Sequence, residues 1–455
     1  MKRFLFSALL ILAGCAGQET SRLDTGDLNL PPMKTFARPA PTPPVYSNSQ
    51  LARDYLELTF TLENGDSVPV FTRFEGPIGV RVLGAAPPTL GPDLDQLLSR
   101  LRREAGLDIS RVAPSEAATI TIEPMPRSQI QRVAPAAACF VRPNVSSWAE
   151  YRARRNDQST FWNRLTRRNS MAIFLPNDVS PQEIRDCLHE EIAQGLGPVN
   201  DVYRLSTSIF NDDNFHAVLT GYDMLMLRVT YDRALRTGMS RQQVAQRLPD
   251  ILARLNPRGG AGDIAPPPVQ LGAWDRAIAQ ATSPRGASGR KLAAARRAVE
   301  LAERNAPGDP RLAFSYYVLG RQSLSSDPTA ALEAFLKAGT LYQSRPDSAL
   351  QEAHVALQVA AFQLSAGRAG IAEQLVEQNL ATVRQAEHAS LLSLMLLVKA
   401  EALHLQGRSA EAERVQRDAL AWGRYGFGAG REVQTRAAEI LAISPRSRRA
   451  EGAPS

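Results

Sequence analysis

The chain has 455 residues, of which 44% are hydrophobic, and a formal net charge of +7 at pH 7. This length exceeds one average domain, and this hydrophobic content excludes an intrinsically disordered chain. Nearly all of the positive charge comes from arginine, because lysine occurs only at positions 2, 34, 291, 337 and 399. We interpret this as a compositional bias, so no nucleic-acid partner is expected.

The first residues, MKRFLFSALLILAGC, predict an export signal. Lys2 and Arg3 precede an apolar run over residues 4–12 that is too short to span a bilayer. The L-A-G-C ending resembles the lipobox of bacterial lipoproteins. That resemblance implies removal of residues 1–14 and lipidation of Cys15, with the outer membrane, periplasmic face, as the location. An ordinary signal peptide with a chance cysteine is the alternative.

Residues 15–50 are rich in proline and small polar residues and predict an extended tether. Residues 51–257 then have a mixed pattern that predicts an α+β domain. Alternation predicts strands at 55–62, 68–74, 78–84, 118–124 and 170–176. Leucine spacing predicts a helix over 93–107, and a second helix begins after Ser180, with Pro181 at its first position.

Two sequence features of this domain allow more than one interpretation. Cys139 and Cys187 are expected to form a disulfide in an oxidising compartment, and two buried free thiols are the alternative. The arginine- and aromatic-rich stretch 148–168 predicts a solvated helix face or a contact with acidic polymer or lipid headgroups.

The stretch DCLHEEIAQGLGPVNDVYR is the strongest candidate for a functional site. A zincin helix reads H-E-x-x-H, with two zinc ligands one turn apart and a glutamate that activates water. The frame that begins at His189 fails, because Ala193 then occupies the second ligand position. Moved by one residue, the frame resembles the longer metzincin motif.

In that frame the resemblance assigns a role to each polar position. Glu190 takes the first ligand place, Glu191 the general-base place and Gln194 the second ligand place. Gly197 falls on the conserved glycine position of the motif, and Asn200, with Asp201 beside it, falls on the third ligand. Further candidates for the groove are His189, Phe210 at the place of the Met-turn, Asp212, His216 and Tyr231.

Residues 130–257 also resemble a family of proteobacterial lipoproteins, the domain of unknown function numbered 2927. The resemblance rests on CLHEEIAQ, LGP, ND and YRL between Cys187 and Leu205, and on FNDDNFH, VLTG and DM up to Met224. It implies no established activity.

The ligand chemistry argues against zinc. The domain contains only His189 and His216, so three imidazole ligands are impossible within it. Carboxylate and amide oxygens suit calcium, magnesium or manganese better. We therefore expect no cofactor, with a divalent metal as the alternative. A buried scaffold helix whose polar groups satisfy one another is the simplest interpretation.

After a Gly/Pro-rich linker at 258–285, residues 286–443 predict helices throughout. Three similar segments place Ala331, Ala372 and Ala412 at intervals of 41 and 40 residues. This resembles tetratricopeptide repeats, which implies a solenoid that binds a protein or peptide partner. A non-repeat helical bundle is the alternative, and residues 444–455 predict a disordered tail.

The predicted fold is therefore an α+β zincin-like domain followed by an all-α helical-hairpin solenoid. The predicted function is a lipid-anchored binding or assembly factor of the cell envelope with a degenerate metzincin-like groove. The alternatives are a metal-dependent peptidase with Glu191 as general base, and a purely structural lipoprotein.

Overall fold

A computed structural model describes residues 30–36, 42–213 and 215–447. The predicted signal peptide, Cys15 and residues 448–455 of the predicted tail lie outside these ranges. The chain divides into an N-terminal unit, Arg38–Pro267, and a C-terminal unit, Pro268–Ser455, which also includes Met1–Ala37. The predicted order, a mixed α+β part followed by an all-α part, is confirmed.

The N-terminal unit is built around a five-stranded mixed sheet with strand order β2-β1-β3-β5-β4. Its strands are β1 (Ile78–Val82), β2 (Ile109–Arg111), β3 (Ile120–Met125), β4 (Phe140–Pro143) and β5 (Met171–Pro176). β2, β1, β3 and β5 run parallel, whereas β4 pairs antiparallel with β5 at the edge. The predicted strands at 78–84, 118–124 and 170–176 correspond to β1, β3 and β5.

Seven helices of the described residues belong to this unit. They are α1 (Asn48–Phe60), α2 (Leu90–Ala105), α3 (Arg127–Val133), α4 (Trp148–Arg154), α5 (Pro181–Leu196), α6 (Gly221–Thr230) and α7 (Arg241–Leu255). Helix α5 packs against β4, β5 and α2, so it lies over the antiparallel edge of the sheet. The helix predicted over 93–107 corresponds to α2.

The strand predicted at 55–62 is wrong, because these residues lie mostly in helix α1. Ser47 caps the helix together with the side chain of Gln50. Tyr55 and Leu58 are fully buried, and Leu56 and Phe60 are almost fully buried. A helix buried on most sides has apolar residues at both helical and alternating spacing. The alternation in this segment therefore did not distinguish a helix from a strand. Residues 68–74 also form no strand in the structure.

All regular secondary structure in the described residues of the C-terminal unit is helical. Its helices are α8 (Gly272–Thr282), α9 (Ser288–Asn305), α10 (Pro310–Ser323), α11 (Pro328–Gln343), α12 (Ala349–Ser365), α13 (Ala369–Gln385), α14 (Ala389–Leu405), α15 (Ser409–Phe427) and α16 (Gly430–Ile443). Consecutive helices pack together as hairpins. Helix α8 lies inside the predicted linker 258–285, where Trp274 is buried and donates a hydrogen bond to Ser315 Oγ at 2.7 Å.

The repeat period is visible in the turns between paired helices. Gly367 and Gly407 stand 40 residues apart and adopt φ angles of 74° and 77°. At each turn the next residue, Arg368 or Arg408, donates its backbone N–H to a carbonyl five residues earlier. This left-handed helix ending favours glycine, which explains why it recurs at the repeat spacing. Ala331, Ala372 and Ala412 are all fully buried.

None of the helices in the described residues is both long and apolar enough to cross a membrane.

We predict that Gly426→Ala destabilises the C-terminal unit by about 1–3 kcal/mol, the usual cost of overpacking. A Cβ at Gly426 would lie 2.5 Å from the backbone nitrogen of Ser390, because α14 and α15 approach closely there. Gly370→Ala on α13 is the matched control, since a Cβ there meets nothing within 4 Å. Thermal unfolding of both variants checks this, and equal midpoints would contradict the close approach.

Candidate functional site

Helix α5 carries the motif, and both of its ends are fixed by specific contacts. At the start, Ser180 Oγ accepts the backbone N–H of Glu183 at 3.2 Å, and Pro181 occupies the first turn. At the end, Gly197 is required because a Cβ there would lie 2.9 Å from Thr230 Oγ1 on α6. The glycine of the motif therefore allows the ends of α5 and α6 to meet.

Arg168 closes the C-terminal end of α5 and was not identified from the sequence. Its guanidinium donates to the carbonyl oxygens of Gln194, Gly195 and Gly197 at 2.8, 2.6 and 2.6 Å. A cation at a helix C-terminus satisfies carbonyls that have no partner within the helix. Arg168 is buried, so this arginine of the 148–168 stretch is part of the interior and does not belong to a solvated face.

The predicted disulfide between Cys139 and Cys187 is confirmed, with their Cα atoms 6.0 Å apart. It joins the residue before edge strand β4 to the middle of α5. Glu190 and Glu191 follow Cys187 by three and four residues, so they lie on the same side of the helix as the disulfide. One oxygen of each carboxylate and the Cys139 sulfur lie within 4.8 Å of one another.

Glu190, Glu191 and Asp201 form what we call the acidic cluster. Glu191 is only 4% exposed, and among the described residues its Oε2 has no hydrogen-bond partner. One oxygen of Asp201, Oδ1, is likewise buried without a partner. The other oxygen of Asp201 accepts a hydrogen bond from Gln194 Nε2 at 2.8 Å. The cluster is thus only partly satisfied by protein groups.

The carboxyl groups of the acidic cluster all have raised pKa values. Burial, with repulsion from Asp212 and Glu63, raises the pKa of Glu190 from 4.5 to about 7. Burial and the neighbouring carboxylates raise the pKa of Glu191 and of Asp201 well above their ordinary values. Every charged group that contributes to these shifts is acidic. The cluster therefore favours protons or a bound cation.

Asn200 does not join the cluster. It is 5% exposed, and its Nδ2 is directed to the backbone carbonyl oxygen of Glu57 at 3.5 Å. Asp201, the next residue, provides the carboxylate instead. Among the predicted ligands the structure thus brings together Glu190, Gln194 and Asp201.

The two histidines of the N-terminal unit bond to the backbone. Nδ1 of His189 accepts the N–H of Leu219 at 3.0 Å, and Nε2 of His216 lies 3.0 Å from the carbonyl oxygen of Ser206. Burial lowers the pKa of His189 well below its usual value and that of His216 to about 4, so both are neutral at pH 7. These contacts tie the loop after α5 in place.

The other groove candidates have three different environments. Phe210 is fully buried in the core. The hydroxyl of Tyr231 donates to the carbonyl oxygen of Leu196 at 3.1 Å and so helps to end α5. Asp212 is exposed and acts on the cluster through its charge. Glu63, which also acts on the cluster, was missed because no motif spacing connects it with α5.

The available donors fit an oxygen-preferring cation better than zinc. Zinc in proteins favours imidazole and thiolate, and the imidazoles here bond to the backbone while the Cys139 sulfur is in a disulfide. The remaining oxygen donors in and beside the acidic cluster are its three carboxylates and the Oε1 of Gln194. Such a set suits calcium, magnesium or manganese.

Comparison with known proteins finds one matching family model. Residues 48–250 match the family model described as "Protein of unknown function (DUF2927)". The match begins at α1 and ends within α7, so it covers the sheet, the disulfide and the acidic cluster. This supports the family resemblance drawn from the motif residues. No curated protein and no solved structure matches the chain.

We predict that, with a chelator present, Glu190 makes the protein less stable as the pH rises from about 5 to about 7. The folded state retains a proton on Glu190 up to a pKa of about 7, whereas the unfolded carboxyl loses it near 4.5. Stability from this group is therefore full below pH 4.5 and is lost by pH 7 and above. The contribution is on the order of 3 kcal/mol.

Glu190→Gln is the matched variant for this prediction. His216 contributes a slope of the opposite sign, since its depressed pKa weakens the fold as the pH falls through about 6.5 to 4. Asp223, with a pKa that burial raises to about 6, adds a slope of the same sign as Glu190. Both remain in the variant, so the difference in urea unfolding between the two proteins at pH 5 to 8 reports Glu190 together with its repulsion of Glu191 and Asp201. Equal slopes for the two proteins would contradict the prediction.

Proposed function

We propose that the protein is a lipid-anchored binding or assembly factor of the cell envelope, with a zincin-like groove that does not cut peptides. One observation carries this proposal. Two of the three polar groups that the shifted motif would direct to a metal bond instead to the protein, Gln194 to Asp201 and Asn200 to Glu57. A groove with this arrangement can hold an extended segment without a catalytic centre.

The C-terminal unit supports the binding role. Paired helices, recurrent left-handed turns at Gly367 and Gly407, and buried alanines at the repeat spacing agree with tetratricopeptide-like repeats. Arrays of this kind bind peptides or partner proteins on an extended surface. The partner in this proposal is therefore a protein or peptide.

The proposed location rests on the N-terminal sequence and on the disulfide. Disulfides persist in oxidising compartments, and Cys139–Cys187 fits export to the periplasm. Lipidation at Cys15 would then hold the protein at the periplasmic face of the outer membrane.

Metabolic labelling with a radioactive fatty acid tests the anchor. Wild-type protein is expected to incorporate the label and to sediment with outer membranes, whereas Cys15→Ser is expected to lose the label and become soluble in the periplasm. Cys139→Ser is the control, because it removes a cysteine and should retain the label. An unlabelled wild-type protein would exclude the anchor.

One observation favours a second function, a metal-dependent peptidase. Glu191 Oε2 and Asp201 Oδ1 are buried without hydrogen-bond partners in the described part of the chain, within an acidic cluster, which is costly unless a cation or protons balance it. Glu190, Asp201 and the Oε1 of Gln194 would hold the cation, with Glu191 beside it as the general base. A bound cation would polarise a carbonyl and lower the pKa of Glu191, so that this carboxylate could accept a proton from water.

Metal content of the purified, untagged protein separates the two functions. The binding-factor proposal predicts no stoichiometric metal, unfolding unchanged by chelator and no peptide hydrolysis. The peptidase predicts stoichiometric calcium, magnesium or manganese that is lost in Glu190→Gln and Asp201→Asn but retained in Asn200→Ala. Activity lost in Glu191→Gln with metal retained would overturn the binding-factor proposal.

A further inference from the structure

The segment Leu30–Phe36, which we call the strap, packs on helix α15 of the C-terminal unit. It belongs to the stretch predicted as an extended tether. The backbone N–H of Lys34 donates to the carbonyl oxygen of Ala421 at 3.2 Å. Arg424 donates from Nη1 to the carbonyl oxygen of Pro31 at 3.1 Å. Main-chain groups of the strap are thus recognised at two points of α15.

Side chains of the strap add charge and aromatic contacts. The Lys34 ammonium forms an ion pair with Asp418 and lies 5.9 Å from the ring centre of Trp422. The Phe36 ring stacks on Trp422 with centroids 4.4 Å apart, and it meets Tyr425 edge-on at 6.4 Å. Asp418, Trp422 and Tyr425 are spaced by four and three residues, so they form one stripe along α15.

This stripe is specific to the last hairpin. Ala412, Ala372 and Ala331 occupy equivalent positions of α15, α13 and α11. Residues at the same sequence offsets from these alanines are therefore the equivalents of Asp418, Trp422 and Tyr425. Those equivalents, which include no aromatic residue, are Gln378, Thr382 and Gln385 on α13, and Lys337 and Leu341 on α11 with Ser344 at its C-cap. Repeat packing therefore does not require the acid and the two rings, which points to recognition of a peptide.

The strap is held by contacts that can exchange. The side chain of Lys34 is 50% exposed and that of Asp418 28% exposed, and ion pairs this accessible to water contribute little to stability. Phe36 is only half-buried, and Met33 is exposed. Pro31 and Pro32 limit the entropy lost on docking, because their φ angles are already fixed. The segment is thus bound chiefly because it is attached to the same chain.

We propose that the Asp418–Trp422–Tyr425 stripe of α15 is a peptide-binding site and that the strap is its built-in occupant. The external ligand is an extended peptide that carries proline, then a cation, then an aromatic residue two positions after the cation. Such a peptide binds when it displaces the strap, so the strap sets a threshold for partner binding. This inference rests on the proposed function only for the statement that the repeats bind a protein partner.

A fluorescent peptide of sequence LPPMKTF tests the site on the full chain. Lys34→Glu combined with Phe36→Ala releases the strap. We expect this strap variant to bind the peptide at least about tenfold tighter than wild type, because the attached competitor has an effective concentration in the millimolar range. Fluorescence anisotropy gives the two dissociation constants, and thermal unfolding verifies that both proteins are folded.

Charge reversal identifies the surface. In the strap variant, Asp418→Lys is expected to weaken binding of LPPMKTF through charge repulsion and to reverse the preference in favour of LPPMETF. Gln378→Lys, the equivalent change on α13, should leave LPPMKTF binding unchanged. A folded strap variant that does not bind the peptide would show that the strap is only structural and would overturn the proposal. Equal affinity of wild type and strap variant, or indifference to Asp418→Lys, would overturn it as well.

These outcomes are independent of the N-terminal unit. Metal content and peptide hydrolysis report on the acidic cluster, whereas peptide anisotropy reports on α15. If the metal and hydrolysis measurements contradict the binding-factor proposal, the anisotropy measurements can still be interpreted. The reverse also holds.

Discussion

Close placement of three carboxyl groups, one buried and two half-buried, beside a disulfide is the constraint on which the N-terminal unit depends. Glu190 and Glu191 follow Cys187 on one side of α5, and Asp201 meets them from the loop beyond the helix. Burial raises the pKa of each carboxyl group, and repulsion raises it further because the charged groups that act on them are all acidic. The surrounding structure must hold the carboxyl groups together against this repulsion. The disulfide contributes to this because it links α5 covalently to the residue before β4.

The remaining contacts around α5 serve the same purpose. Arg168 binds the last carbonyls of the helix, and Gly197 lets α6 approach it closely. His189 holds the returning loop through Leu219, and Asp223 accepts hydrogen bonds from Ser208 and Thr220 within that loop. These contacts fix the position of α5 without engaging the carboxyl groups of Glu190 and Glu191.

The two units use different means to present a surface. The N-terminal unit encloses polar groups, whereas the C-terminal unit repeats one hairpin and varies a single helix face. On α15 that face carries Asp418, Trp422 and Tyr425, and a proline-containing segment of the same chain covers it. The bound strap shields the rings of Trp422 and Tyr425 from nonspecific contacts. It also raises the affinity that a partner peptide needs in order to displace it.

The sequence alone determined the broad organisation of the chain: the mixed sheet before the helices, the repeat spacing of Ala331, Ala372 and Ala412, and helix α5 with its cap at Ser180. These are local patterns of hydrophobicity and capping, which need no knowledge of distant neighbours. The same patterns failed at α1, because a helix buried on most sides also shows alternation.

Only the tertiary structure decided which polar groups meet. It placed Asp201 in the cluster and directed Asn200 to Glu57, added Glu63, and used Arg168 as an internal cap. It also brought Phe36 to Trp422, across 386 positions of sequence. Such contacts depend on where the chain returns in space, and spacing within one motif carries no information about that.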